Sequence, residues 1–179
     1  MTFVLPGMLP PTVLGFYLLI LLGPAGFLGA PWLTLTDTTL TFSFTGLVIA
    51  SVIYSFPFAV QPLQGAFETV GRMPLEAAAT LGAGPFDAFL NVASPLALRG
   101  YVTAAVLTFA HTLGEFGVVL MVGGNIPGET RTLSIAIYDR MQAFDDRSAG
   151  IMAATLLVVA VGTLMATTAL SRRVGPRRG

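Results

Sequence analysis

The chain has 179 residues, 54% of them hydrophobic and only 10% charged, and its nine arginines balance nine acids. A soluble domain carries about 25% charge, so the composition argues against a water-soluble fold, and a net charge of zero leaves no basic surface for nucleic acid. Cysteine is absent, which excludes disulfides and thiolate metal sites. No side chain charged at neutral pH occurs from Met1 to Thr36, and Asp37 is the only one before Glu68. About 20 apolar residues cross a bilayer core of roughly 30 Å. A cleavable signal peptide is not expected, because it needs a basic start and the first basic residue is Arg72.

Four apolar blocks follow in chain order. The first runs from Leu9 to Leu28, broken by Pro10, Pro11, Gly15 and the Gly23-Pro24-Ala25-Gly26 turn. The second, Phe42 to Phe67, contains Pro57 and Pro62 and is expected to kink there, neighbouring helices taking up the freed carbonyls. The third runs from about Pro95 to Val122. The fourth, Ala149 to Leu170, holds neither charge nor proline. The fold class is therefore all-α: one polytopic transmembrane helical bundle over residues 1–179, with about four spans.

The connections set the orientation. Gly29 to Thr41 carries Asp37, Glu68 to Ser94 carries Arg72, Glu76 and Asp87, and Gly123 to Ser148 carries acids and arginines together. The tail Ser171 to Gly179 has arginines and no acid. Basic residues near span ends favour the cytoplasm, and acids count for little. The tail and the Glu68–Ser94 loop are thus expected on the cytoplasmic side, with the loops around Asp37 and Glu129 outside.

The Glu68–Ser94 loop reads as two short helices. Pro74 suits a first helical turn, Glu76 follows where a carboxylate suits the helix dipole, and Ala77, Ala78 and Ala79 are strong helix formers. Gly82 and Gly84 allow a left-handed exit. Pro85 can open the second helix with Asp87 in its first turn. The apolar side, with Leu81, Phe86 and Phe89, needs cover from the chain itself or from a partner.

These residues carry a resemblance. Glu76-Ala77-Ala78, Gly82, Val92 and Pro95 resemble the EAA loop of binding-protein-dependent ABC importer permeases, with Ser94 where the family usually has Leu. Leu9-Pro10-Pro11-Thr12-Val13-Leu14-Gly15, Gly114-Glu115-Phe116-Gly117 and Asn125-Ile126-Pro127-Gly128-Glu129-Thr130-Arg131-Thr132 resemble the molybdate branch of that family. The resemblance implies that residues 68–94 form the cytoplasmic coupling loop. In it, Glu76, Ala77, Ala78, Gly82 and Pro95 would couple to a separate ABC ATPase subunit. It also implies an extracytoplasmic oxyanion-binding protein that meets the outer loop, with Asn125, Pro127, Gly128, Glu129 and Arg131 as contact candidates. A second copy of the permease would complete the pathway in the cytoplasmic (inner) membrane. Such permeases usually have about two more helices before the Leu-Pro-Pro segment. By that measure the sequence reads as a fragment, a shortened permease or one with a misplaced start.

Thr108, His111 and Glu115 fall in the third block at i, i+3 and i+7, so one helix face is expected to carry all three. Ionisable groups within a membrane are costly and point to function by default. The functional reading is a polar lining or gate for an anion. The structural one is an internal pairing of Glu115 with His111 or a neighbouring helix. One His and one Glu do not make a metal site, which usually needs three protein ligands. No Arg lies within a span, so tight anion binding inside the chain is not expected.

In the outer loop, Pro127-Gly128 fits a type II turn, and Glu129 and Arg131 stand close enough in sequence to pair. Ser134 to Phe144 is expected to form an interfacial helix on Ile137, Met141 and Phe144. No Gly-rich phosphate loop ending in Lys and Ser/Thr appears, so ATP hydrolysis would fall to another chain. No catalytic set, metal or cofactor is expected. The expected function is translocation of molybdate across the membrane as the permease of an ABC importer. The alternatives are another oxyanion, tungstate or sulfate, and a secondary transporter or membrane scaffold.

Overall fold

The computed structural model describes residues 10–174, with side chains through residue 169. Leu9 and most of the arginine-bearing tail lie outside what it describes. Among the described residues every regular element is helical, the arrangement that lets each backbone amide find its partner without water.

Helix α1 (Pro11–Leu22) opens with proline in its first turn and stops where Gly23, extended ahead of Pro24, leaves the helical region. Its 12 residues reach about 18 Å, short of a bilayer core. After α2 (Gly29–Thr36) the chain turns at Asp37, left-handed with φ 54°. Helix α3 (Phe44–Val70) runs for 27 residues, unbroken through Pro57 and Pro62. Ser43 organises its start: the hydroxyl donates to the Leu40 carbonyl at 2.7 Å and accepts the Gly46 N–H at 3.1 Å.

Two short helices follow, α4 (Met73–Thr80) and α5 (Pro85–Ala88). The latter runs on through a wide π-helical turn (Phe89–Ala93) into α6 (Ser94–Leu96). Then come α7 (Leu98–Gly114), α8 (Gly117–Gly123), α9 (Leu133–Gln142) and α10 (Asp146–Val174). Among the described residues two helices are long and apolar enough to cross a membrane, α3 and the first 24 residues of α10. A third crossing arises if the segment Pro85–Leu96 and α7, which meet at 67°, count as one. The bend has a local cause. Ala97, at φ −82° and ψ 3°, leaves the helical region between Leu96 and Leu98 and turns the chain there.

The third apolar block is thus not one continuous helix. It breaks at Glu115-Phe116, between α7 and α8.

The chain divides into two compact units, residues 10–57 with 111–160, and residues 58–110 with 161–174. In the first, α1 packs on α8. Gly15 makes that possible: a Cβ there would stand 3.0 Å from the Met121 Cβ and 3.2 Å from the Val118 Cα. Leu18, Leu22, Leu40, Ala50, Tyr54, Val118 and Val122 form the buried core, and Leu47, Val119 and Ile135 a second cluster. In the other unit, Gly100 lies against Ala66, with no room for a side chain between them. The Phe67 ring stacks on Phe89 at 5.8 Å and meets Tyr101 edge-on at 5.9 Å.

Candidate functional site

The coupling-loop expectation falls on α4 to α6. Pro74 and Glu76 occupy the first turn of α4, as the sequence suggests. The exit from α4 is a Schellman motif: the Ala83 N–H reaches the Ala78 carbonyl and the Gly82 N–H the Ala79 carbonyl. Gly82 supplies its left-handed residue at φ 87°. Gly84 does not share that role; it is extended and caps α5. Of the motif residues, Ala78 is buried while Glu76 and Ala77 face outward. Met73, Leu81 and Phe86 are 81%, 88% and 75% exposed. Three large apolar side chains on one short helical pair are thus left without cover among the described residues, each worth about 1.5–3 kcal/mol if buried. The return limb is held from within by the Phe67 ring contacts and by Ser94, whose hydroxyl donates to the Tyr101 hydroxyl at 3.2 Å.

The pathway candidates separate. Thr108 is half-buried on α7 and belongs to the second unit. Glu115 lies past the end of α7, so the expected shared face does not form; the chain leaves the helix at Gly114. His111 and Glu115 instead line one cavity of about 510 Å³ in the first unit, with Tyr54, Thr12, Pro11 and the Gly114–Gly117 break. Glu115 is only 5% exposed, and neither carboxylate oxygen has a hydrogen-bond partner among the described residues. The Val119 N–H, in the unpaired first turn of α8, faces it without reaching hydrogen-bond geometry.

His111 does not pair with Glu115. Its ring packs on Tyr54 at 4.8 Å, and its Nδ1 lies 3.1 Å from Ser55 Oγ. Ser55 is also 2.7 Å from Thr112 Oγ1. Sequence reading passed over both Ser55 and Thr112, although a serine deep in an apolar block is itself a signal, since a buried hydroxyl needs a partner.

The loop at residues 123–132, expected outside from the charge pattern, is built from hydrogen bonds. Gly124 and Asn125 are both left-handed, with φ 71° and 59°. Ile126 to Glu129 form the expected type II turn, Gly128 at φ 81° and the Glu129 N–H on the Ile126 carbonyl at 3.2 Å. The buried Thr130 hydroxyl donates to the Gly123 carbonyl at 2.6 Å and accepts the Ile126 N–H at 2.9 Å.

Arg131 does not pair with Glu129. It meets Asp139 of α9 at 3.5 Å and donates through Nε to Asn125 Oδ1 at 2.8 Å. A helix does form there, α9, but it is anchored by the fully buried Ile135, while Met141 and Phe144 are exposed. Phe144 lies beyond its end, left-handed at φ 57°. Ser134 ties this helix to the break, donating to the Glu115 carbonyl at 2.6 Å. The described part of the Leu9–Gly15 string (10–15) and the strings 114–117 and 125–132 thus fall in one compact unit, with the α1–α8 packing.

The sequence matches known proteins. Residues 1–178 fit the family described as the binding-protein-dependent transport system inner membrane component. The chain belongs to that family of membrane-spanning transport subunits. It is 60% identical over 141 residues to the molybdenum transport system permease protein ModB of Azotobacter vinelandii, covering 79% of this chain and 62% of that one. It is 38% identical over 167 residues to ModB of Escherichia coli K12, covering 93% and 72%. It is 35% identical over 173 residues to the sulfate transport system permease protein CysT of the same organism, covering 97% and 62%. The chain thus spans about 62% of the length of the Azotobacter relative.

Proposed function

We propose that this chain is the membrane-spanning part of a molybdate importer driven by a separate ABC ATPase. What carries the reading is the 60% identity to a molybdenum transport permease, which exceeds the 35% to the sulfate permease. The exposed Met73, Leu81 and Phe86 on the α4–α5 pair support an ATPase groove as their cover, with Glu76 and Gly82 shaping the pair that enters it. An extracytoplasmic binding protein would deliver the oxyanion to the outer loop. A second copy would complete the passage in the cytoplasmic membrane, with the C-terminus inside. The cavity holding Glu115 and His111 would lie along that passage. Its lining residues include no arginine or lysine, which supports weak, transient contact with an anion over tight binding.

The test is uptake of labelled molybdate into cells that carry the chain with its ATPase and binding protein, with tungstate and sulfate as competitors. Loss of uptake in Glu76→Ala and Gly82→Pro, with membrane insertion intact, is expected. Normal uptake in both would sink the coupling role. Preference for sulfate in the presence of the cognate binding protein would move the chain to the sulfate branch.

A further inference from the structure

Asp139, which no sequence motif singled out, closes a ring of side chains at the base of the outer loop. Asn125 Nδ2 donates to both of its carboxylate oxygens, at 3.1 and 3.0 Å. Arg131 Nε donates to Asn125 Oδ1 at 2.8 Å, and Arg131 Nη2 reaches Asp139 at 3.5 Å. The amide orientation of Asn125 is fixed by this ring: the guanidinium needs its oxygen and the carboxylate needs its nitrogen.

The ring does two things. It holds Asn125 in the left-handed region, φ 59°, which a non-glycine residue occupies at a cost unless its surroundings demand it. It also neutralises Arg131 within the chain, so the guanidinium is not the group the loop presents. What remains outward is the Pro127-Gly128-Glu129 tip, exposed at all three residues, with Glu129, which has no ion-pair partner among the described residues, the single charge upon it.

We infer that Asp139 is the positioning residue of the outer loop: by clamping Asn125 and Arg131 it presents the Pro127–Glu129 tip in one conformation to a protein partner through a single acid. The partner site it fits is a shallow surface with a basic group opposite Glu129. The inference rests on the proposed function only for the partner's identity, the extracytoplasmic binding protein. A preorganised tip costs less to bind than one that must order on contact.

The test uses the whole complex of chain, ATPase and binding protein in lipid nanodiscs, with Asp139→Ala, Asp139→Asn and Glu129→Gln. Amide exchange over residues 125–131 reads the clamp without any partner. In Asp139→Ala the amides of Ile126, Thr130 and Arg131 are expected to exchange at least about tenfold faster, with Asp139→Asn in between because its carbonyl still accepts from Asn125. Binding-protein-stimulated ATP hydrolysis reads the consequence. The binding-protein concentration for half-maximal stimulation is expected to rise about tenfold in Asp139→Ala and in Glu129→Gln, with the maximal rate unchanged.

Unchanged exchange in Asp139→Ala overturns the clamp. Faster exchange with an unshifted half-maximal concentration overturns the role of positioning, and so does a fall in maximal rate alone. If the unaltered complex responds to no binding protein, the proposed function fails instead, and the exchange arm still decides the clamp.

Discussion

Ser55 Oγ and Thr112 Oγ1 stand 2.7 Å apart, a hydrogen bond between α3 and the end of α7 that also brings Ser55 within 3.1 Å of His111 Nδ1. Ser55 is 2% exposed. Interhelical hydrogen bonds of this kind are worth about 0.6–1.7 kcal/mol in membranes. Ser55→Ala is expected to lower the melting temperature of the purified protein in detergent by a few degrees, and Ser55→Thr to lower it less if the added methyl is accommodated. No change in Ser55→Ala would show that the hydroxyl is satisfied elsewhere.

The turn at Gly82 gives a second prediction. A Cβ there meets no atom within 4 Å, so any penalty comes from its φ of 87° alone. A left-handed alanine costs about 1–2 kcal/mol. Gly82→Ala should loosen the α4 exit and reduce co-purification of the ATPase, while Gly82→Asn, which tolerates this conformation better, should retain more of it. Equal losses in the two variants would point to contact rather than conformation.

Gly15 is constrained by space instead. Its closest neighbours are the Met121 side chain and the Val118 backbone across the α1–α8 contact. Gly15→Leu should push the helices apart and cost about 1–3 kcal/mol or more, read as loss of a cooperative melt in detergent. Gly15→Ala presses on Met121 Cβ and Val118 Cα, atoms held by the α8 backbone, so α1 and α8 must part by a few tenths of an ångström, a smaller cost than that of Leu.

Glu115 offers a prediction of the opposite sign. Its carboxylate is buried beside the α7–α8 break with neither oxygen hydrogen-bonded. An uncompensated buried charge opposes folding, so Glu115→Gln is expected to melt no lower than the natural protein. If uptake falls in that variant while the melt holds, the carboxylate serves transport. A marked drop in melting temperature would instead reveal a structural partner for the charge.

At the start of α10, Asp145 accepts the Ser148 N–H at 3.1 Å. The Ser148 hydroxyl and N–H, with a smaller contribution from Arg140, hold its carboxyl below the ordinary value of 3.8. A depressed folded-state pKa means that the contribution to stability is present above 3.8 and is lost as pH falls through the folded value. Amide exchange of residues 146–149 should therefore speed up selectively below that pH. In Asp145→Asn, which caps without titrating, the pH dependence should vanish.

The helical class, the α4–α5 pair and the type II turn at Pro127-Gly128 were legible because each rests on local chemistry: apolar runs, proline at a first turn, glycine where φ is positive. The break after Gly114 was not legible. Between Leu98 and Val122 only the Gly114-Glu115-Phe116-Gly117 string marks it, and Gly117 is fixed by Pro11, whose Cβ would stand 2.9 Å from a Cβ at 117. That contact spans more than a hundred residues of sequence. The partner of Arg131 was missed for a related reason. Glu129 is nearer in sequence, but the turn at Gly128 sends it outward, while α9 brings Asp139 back beneath Asn125.

The 67° angle at Ala97 sets a direction of motion. In the proposed importer, with α7 along the bilayer normal, the segment Pro85–Leu96 would lie closer to the plane of the bilayer than to its normal. It would act as a crank handle on the shaft it joins. A sideways displacement of Pro85–Leu96 would be delivered to α7 as rotation about its axis, and the ring of Phe67, gripped between Phe89 and Tyr101, would carry the same stroke to α3.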